Sequence, residues 1–398
     1  MRLVILSCLY FLFLQACMQV DLSKPTASTA SGPSSNPALA LQQSAPIDTN
    51  LMRQVADDKT AGRTPPPVSV YKDPATGDEY QINSGWRIVP RQTTIFAASQ
   101  PLAKAAGGLI QTWTDWSGQV ETRIYECVTP TPAQHQSLGC QVEPGFMLTG
   151  GGAYADYGSG PGALLWESRP LDGNLITWLA SSKDHTEANP HTLHVYAIGM
   201  RIKDNTGAYI PVEKLRGPIF TMENLTSSPA VHYPSQMIQG SPFIGGGARP
   251  NWTCCGSLLT GLEYSYPHTY STFTASAKDH GVGELTTITA YSIFALSLEC
   301  CHDQVPIPNF GVLQFWWPAA RGNAVGTGVA VAYLDADPGW VITGPGGTAQ
   351  WTSGPGRLLF GVKPTGTYQG QVGVFSKDHR TVSGGYNVVS FAEVQKAR

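Results

Sequence analysis

Between residues 100 and 398 the apolar positions come in short runs, broken by clusters of Gly, Pro, Asn and Asp. Leu193-His194-Val195-Tyr196-Ala197-Ile198-Gly199-Met200 alternates apolar with small or polar residues. Phe146–Thr149 runs into Gly150-Gly151-Gly152-Ala153, Ala163–Trp166 follows a Gly-Pro-Gly turn, and Leu175–Ala180 runs into Ser-Lys-Asp-His. Runs of β-branched and aromatic residues between turn-formers predict strands. No long amphipathic helix is signalled. The pattern predicts an all-β protein. Pro218-Ile219-Phe220-Thr221-Met222 onward reads as a further hairpin.

The pattern recurs. Ser182-Lys183-Asp184-His185, Ala277-Lys278-Asp279-His280 and Ser376-Lys377-Asp378-His379 lie at spacings of 280 − 185 = 95 and 379 − 280 = 99 residues. A glycine cluster precedes each copy: Gly150–Gly152, Gly245–Gly247, and Gly344-Pro345-Gly346-Gly347. Residues 146–185 align with 340–379 without a gap through Thr149/Thr343, Gly150/Gly344, Leu164-Leu165/Leu358-Leu359 and Pro170/Pro364. The middle copy keeps Gly256, Leu258-Leu259 and Pro267. A fixed period sets the fold. A lone small sheet is marginal, so joined copies bury more apolar area. The expected architecture is therefore three repeats of about 95 residues, 100–200, 201–299 and 300–398, around a pseudo-threefold β-prism. The alternative is three tandem small β modules.

The first hundred residues differ. Arg2 and the apolar run Leu3–Leu14 form a leader (1–16) too short for a comfortable membrane span. Leu14-Gln15-Ala16-Cys17 resembles a bacterial lipobox, which implies cleavage before Cys17 and lipid on its sulfur. Met18 in place of Asp leans, by the same resemblance, towards the outer membrane. Residues 17–66 are rich in Ser, Thr, Ala, Pro and Gln and read as a flexible tether, with a short helix around Leu51–Ala56. In 67–99, Tyr71–Tyr80 reads as a hairpin turned by Asp73-Pro74-Ala75-Thr76-Gly77, and Trp86–Val89 as an edge strand.

Charged residues are only 13 %, with 43 Gly and 30 Pro, which favours a turn-rich exported protein. The net charge of −3 leaves no basic footprint for nucleic acid. Beyond Cys8 and Cys17, six cysteines remain, and an even number in an exported chain argues for disulfides. Cys127 with Cys140 would close a short loop. Cys254-Cys255 and Cys300-Cys301 are expected to pair with each other in an unspecified order. Their spacing does not suit a metal knuckle, and no metal or cofactor is expected.

The Lys-Asp-His runs are candidate sites: Asp184, His185, Asp279, His280, Asp378 and His379. Asp beside His suits acid–base work or metal binding. A structural role competes, with Asp capping a turn, Lys pairing with it and His packing on the next copy. Tyr157, Trp252 and Trp351 follow the glycine clusters in all three copies and could stack on a sugar face. Tyr154, among other aromatics, also sits near these glycines. The glycine clusters lack the Lys-Ser/Thr and helix of a phosphate loop and read as points of close backbone approach. His191 and His194 face opposite sides of a strand. No Gly-x-Ser-x-Gly or His-Glu-x-x-His is present.

Cys140, Gly145–Ala153, Leu164–Pro170, Thr177–His185 and Tyr196–Gly199 together resemble repeats in secreted bacterial β proteins. The threefold arrangement is similar to β-prism proteins such as jacalin-type lectins and vitelline outer-layer proteins. That resemblance implies carbohydrate binding or surface association, and carries over no binding residue. The expectation is a lipid-anchored outer-membrane protein that binds glycan or envelope polymer at the cell surface, as in adhesion. The alternatives are a scaffold for an envelope protein complex and, last, a hydrolase.

Overall fold

The computed structural model describes residues 71–72, 79–80, 104–171, 175–184, 187–240, 242–252, 256–266, 271–279, 283, 285–296, 303–325, 328–352, 354–365, 370–378 and 383–398. The leader, Cys17, the tether, Trp86–Val89, His185, His280, His379 and Cys254, Cys255, Cys300 and Cys301 lie outside these residues.

The described chain is all-β. Strands β1 (Tyr71–Lys72) and β2 (Glu79–Tyr80) pair antiparallel, as the hairpin reading required. Then come β3 (Lys104–Ala106), β4 (Gly108–Thr114), β5 (Val120–Val128), β6 (His135–Gln141), β7 (Met147–Asp156), β8 (Ala163–Pro170), β9 (Thr177–Asp184) and β10 (Thr192–Ile202). A single turn of helix, α1 (Val212–Leu215), precedes β11 (Phe220–Thr226), β12 (Ser235–Gly240), β13 (Phe243–Asn251), β14 (Ser257–Ser265), β15 (Ser271–Asp279) and β16 (Thr287–Ala295). The last series is β17 (Gln304–Ile307), β18 (Gly311–Trp316), β19 (Ala319–Arg321), β20 (Val329–Asp335), β21 (Val341–Trp351), β22 (Arg357–Thr365), β23 (Gln371–Asp378) and β24 (Gly385–Lys396).

These strands build three large sheets. The first has the order β20-β23-β22-β7-β10-β5-β4 and the second β11-β16-β13-β8-β9-β6-β3. The third is β12-β15-β14-β21-β24-β18-β17, with β19 beside β24. With residues 100–200, 201–299 and 300–398 taken as three segments, each sheet joins a hairpin of one segment to a strand pair of another: β22–β23 to β7–β10, β8–β9 to β13–β16, and β14–β15 to β21–β24. No sheet belongs to one segment alone, so the strands do not form three separate modules. The hairpin expected after Pro218 is also not formed. β11 pairs with β16 and β12 with β15, in different sheets. Alternation tells which face of a strand is buried, but not which strand lies beside it.

Where the sheets meet, glycine decides the spacing. A Cβ on Gly150 would lie 2.7 Å from the Cα of Gly344, one on Gly344 2.6 Å from that of Gly245, and one on Gly245 3.0 Å from that of Gly150. The three glycines thus close a triangle of backbone contacts. The Thr149 hydroxyl crosses it to the Thr343 carbonyl at 3.0 Å. Around it runs one continuous core that includes Leu148, Ile198, Ile244, Ile293, Ile342 and Phe391, all fully buried. Each such side chain contributes about 1.5–3 kcal/mol. Cys127 and Cys140 form a disulfide, Cα–Cα 5.5 Å, that ties β5 of the first sheet to β6 of the second.

Candidate functional site

Leu164, Leu258 and Leu358, one from each segment, meet in a second apolar cluster with Trp166, Phe360 and Phe375. Of the aromatics singled out from the sequence, Tyr157 and Trp252 border it. Tyr157 packs edge-on against Phe360 at 5.3 Å and Trp252 against Trp166 at 5.5 Å, while Trp351 lies 6.0 Å from Tyr233. All three rings are half-buried.

The lysines of the Lys-Asp-His runs meet these aromatics across segments. Lys377 Nζ sits 5.1 Å over Tyr157 and donates to the Pro161 carbonyl. Lys183 Nζ sits 5.6 Å over Trp252. Lys278, fully buried, donates to the Tyr233 hydroxyl at 2.9 Å, and its Cδ and the Trp351 ring both lie against Gly356. A cation held over a ring face is worth about 0.5–2 kcal/mol.

The aspartates are partnered too. Asp184 Oδ1 lies 3.9 Å from His135 Nε2, and Asp279 Oδ2 3.2 Å from His232 Nδ1. Asp378 accepts from Arg357 at 2.6 Å and from the Gly328 N–H at 2.5 Å. Arg357 is itself buried, with further bonds to the Ser376 hydroxyl and the Ser383 and Gly328 carbonyls. Each of these contacts ties the end of one strand to a neighbouring strand or loop. Among the described residues no three His, Cys, Asp or Glu cluster as metal ligands.

Ser182 Oγ lies 2.7 Å from His191 Nε2, and His191 Nδ1 3.2 Å from the Asn189 carbonyl. The geometry is that of a nucleophile and base, but both residues are buried, so the pair lacks the access that catalysis needs.

The outer face of the first sheet is different. An open groove of about 680 Å3 crosses β5, β10, β7, β22, β23 and β20. Tyr196 and Phe375 form its floor, Tyr154 is half-buried, and Tyr333 stands 52 % exposed at the wall. Tyr154 lies 5.1 Å from Phe375 and Phe375 5.8 Å from Tyr333, both edge-on.

Strand alternation places these rings. Leu193 and Val195 of β10 enter the core, which turns His194 to the other face, while Tyr196, itself buried, lines the bottom of the groove. Opposite the rings, Gly361 and Gly373 make room: a Cβ on Gly361 would be 2.7 Å from Tyr154, and one on Gly373 2.9 Å from both Phe375 and Tyr333.

The polar groups of the groove are Lys363, Glu126, Thr365 and Gln371. Lys363 Nζ lies 4.1 Å from the Tyr154 ring centre, and burial lowers its pKa. Glu126 accepts from His194 Nδ1 at 2.8 Å, and this bond chiefly holds its carboxyl below the usual range. Burial drives the Tyr196 hydroxyl well above its usual value.

The matching places on the other sheets carry nothing similar. Where Tyr154 faces Gly361, Thr348 faces Gly261 in the third sheet. In the second sheet Arg249 follows Ala248, which faces Ser168, and that face is filled by Arg169 bonded to Glu167 at 2.8 Å and lying 4.8 Å over Tyr291. Of the groove residues, Tyr154 is legible in the sequence as an aromatic beside a glycine cluster. Glu126, Lys363 and Tyr333 come from distant parts of the chain, and only sheet pairing brings them together. No protein-family model matches the chain, and no curated protein matches it.

Proposed function

We propose that this protein binds a glycan or glycan-like envelope polymer along the groove of the first sheet. The observation that carries the reading is the row Tyr196, Tyr154, Phe375 and Tyr333 with Lys363 and Glu126 among them. Aromatic faces suit the apolar faces of sugar rings, and a few placed polar groups suit their hydroxyls. The scaffold is a pseudo-threefold β-prism of three repeats, a reading supported by the cyclic sharing of strands between segments and by the three converging glycines. It is held at the outer membrane by lipid on Cys17, so Cys17→Ser should move the protein out of the detergent phase on Triton X-114 partitioning.

A glycan screen on the protein, with Tyr333→Ala beside Trp252→Ala and Trp351→Ala, tests the binding reading. Tyr333 is exposed, so its loss leaves the core intact. Losing one stacking ring should weaken binding about fivefold, or roughly 1 kcal/mol. The tryptophan variants should lose stability rather than affinity. If only the tryptophan variants lose affinity, the site lies at Trp252 and Trp351 and not in the groove. If no sugar binds, the exposed Val329 and Val331 of β20 point to a protein partner instead.

A further inference from the structure

The charges around the groove narrow the class of saccharide, an inference that rests on the glycan reading above. Lys363 supplies the cation. Its ammonium lies 4.1 Å from the Tyr154 ring centre, 5.5 Å from Phe375 and 6.0 Å from Tyr196. Ring faces stabilise the charge but accept its N–H groups poorly, so a polar partner can approach from the open side.

Two carboxylates, Glu126 and Asp156, already act electrostatically on this ammonium. Glu126 is held by His194 Nδ1 at 2.8 Å and by the Tyr196 hydroxyl, which use part of its accepting capacity and leave lone pairs for a further donor. At the far wall Asp335 accepts from Gln371 Nε2 at 2.8 Å. One carboxylate, Glu126, therefore lines the groove beside the single ammonium, with Asp156 acting on Lys363 and Asp335 bonded to the lining residue Gln371. A ligand carboxylate or sulfate reaching Lys363 would also approach Glu126 and Asp156, and at a half-buried site like charges a few ångströms apart repel strongly. A hydroxyl meets no such opposition. It can accept from Lys363, and its neighbour on the ring can donate to Glu126.

We propose that the groove selects uncharged saccharides over uronate or sulfated ones, with Lys363 and Glu126 reading neighbouring hydroxyls of a ring stacked on Tyr154 or Tyr333. The test is calorimetry on the full chain with neutral gluco-, galacto- and manno-tetrasaccharides and with the matching tetra-uronates. At least one neutral tetrasaccharide should bind tenfold or more tightly than its uronate, with little dependence on salt. Lys363→Met, which keeps the aliphatic stem, should weaken that binding about tenfold. Glu126→Gln should narrow the gap between neutral and acidic ligands, and circular dichroism would verify that both variants fold. Tighter, salt-sensitive binding of a uronate would overturn this inference and leave the glycan reading standing. Binding of neither class by folded protein would remove both.

Discussion

A close backbone approach at the sheet junction gives the sharpest prediction. Gly344 faces the junction of the three sheets. A Cβ there would lie 2.6 Å from the Gly245 Cα, 2.6 Å from the Ile244 carbonyl oxygen and 2.7 Å from the Tyr264 hydroxyl. Ordinary contact begins at 3.4 Å, so Gly344→Ala requires a movement of about 3.4 − 2.6 = 0.8 Å. The first two of these atoms are backbone of β13, bonded into the second sheet, and neither can turn aside as a side chain would. Overpacking a close-packed interior costs about 1–3 kcal/mol, and the rigid neighbours put this case at the upper end. The limit is space, not a left-handed φ. Gly108→Ala is the control: its Cβ would meet only the Glu126 carbonyl, at 3.7 Å, so the change should stay within about 0.5 kcal/mol. Urea unfolding followed by tryptophan fluorescence compares the two. If Gly344→Ala unfolds at the same midpoint and slope as Gly108→Ala, the glycine triangle does not set the packing at the sheet junction.

Two further outcomes test other parts of the structure. Replacing Cys127 and Cys140 together by Ala releases a loop with a sequence separation of 13, and should cost about 3 kcal/mol in the same unfolding experiment. Glu393 is buried on β24, and burial raises its pKa from 4.5 to about 8. Its unfolded form gives up the proton near the ordinary value, so between pH 4.5 and about 8 the folded state holds one proton more. Stability from this group is therefore full at low pH and falls as pH rises through that window. Glu393→Gln keeps an acceptor for the Asp337 N–H, which lies 3.2 Å away. It should flatten the fall, and an unchanged pH profile would count against the burial argument.

The sequence displayed the strands well because alternation and turn residues are local signals. Leu193–Met200 became the centre of Thr192–Ile202, and the glycine clusters did mark close backbone approach. Partnership was hidden. Nothing in Phe220–Thr226 says that its neighbour is β16 rather than the following strand. The Lys-Asp-His runs suggested a lysine paired with the adjacent aspartate. Lys278 does lie 3.7 Å from Asp279, but Lys377 and Lys183 reach aromatics of the next segment instead. A side chain on a strand points to a sheet face, where its neighbours belong to other strands far away in sequence.

The same difference separates the recurring positions from the groove proposed as a binding site. Positions that recur along the sequence sit at the sheet junctions: Gly150, Gly245 and Gly344 where the three sheets meet, and Leu164, Leu258 and Leu358 in the second apolar cluster. Recurrence is a signature of what holds the sheets together. A ligand site used once must break it. Register sets Tyr154 of β7 against Gly361 and Thr348 of β21 against Gly261, so one place bears an aromatic ring in the first sheet and a small hydroxyl in the third. β22 carries Lys363 two residues beyond Gly361, where β14 carries Glu263 two beyond Gly261. Those departures all fall on the sheet that joins the last segment to the first. On the glycan reading proposed above, the residues to mutate for binding are those that differ between the sheets, while the recurring ones at the sheet junctions are the ones to mutate for stability.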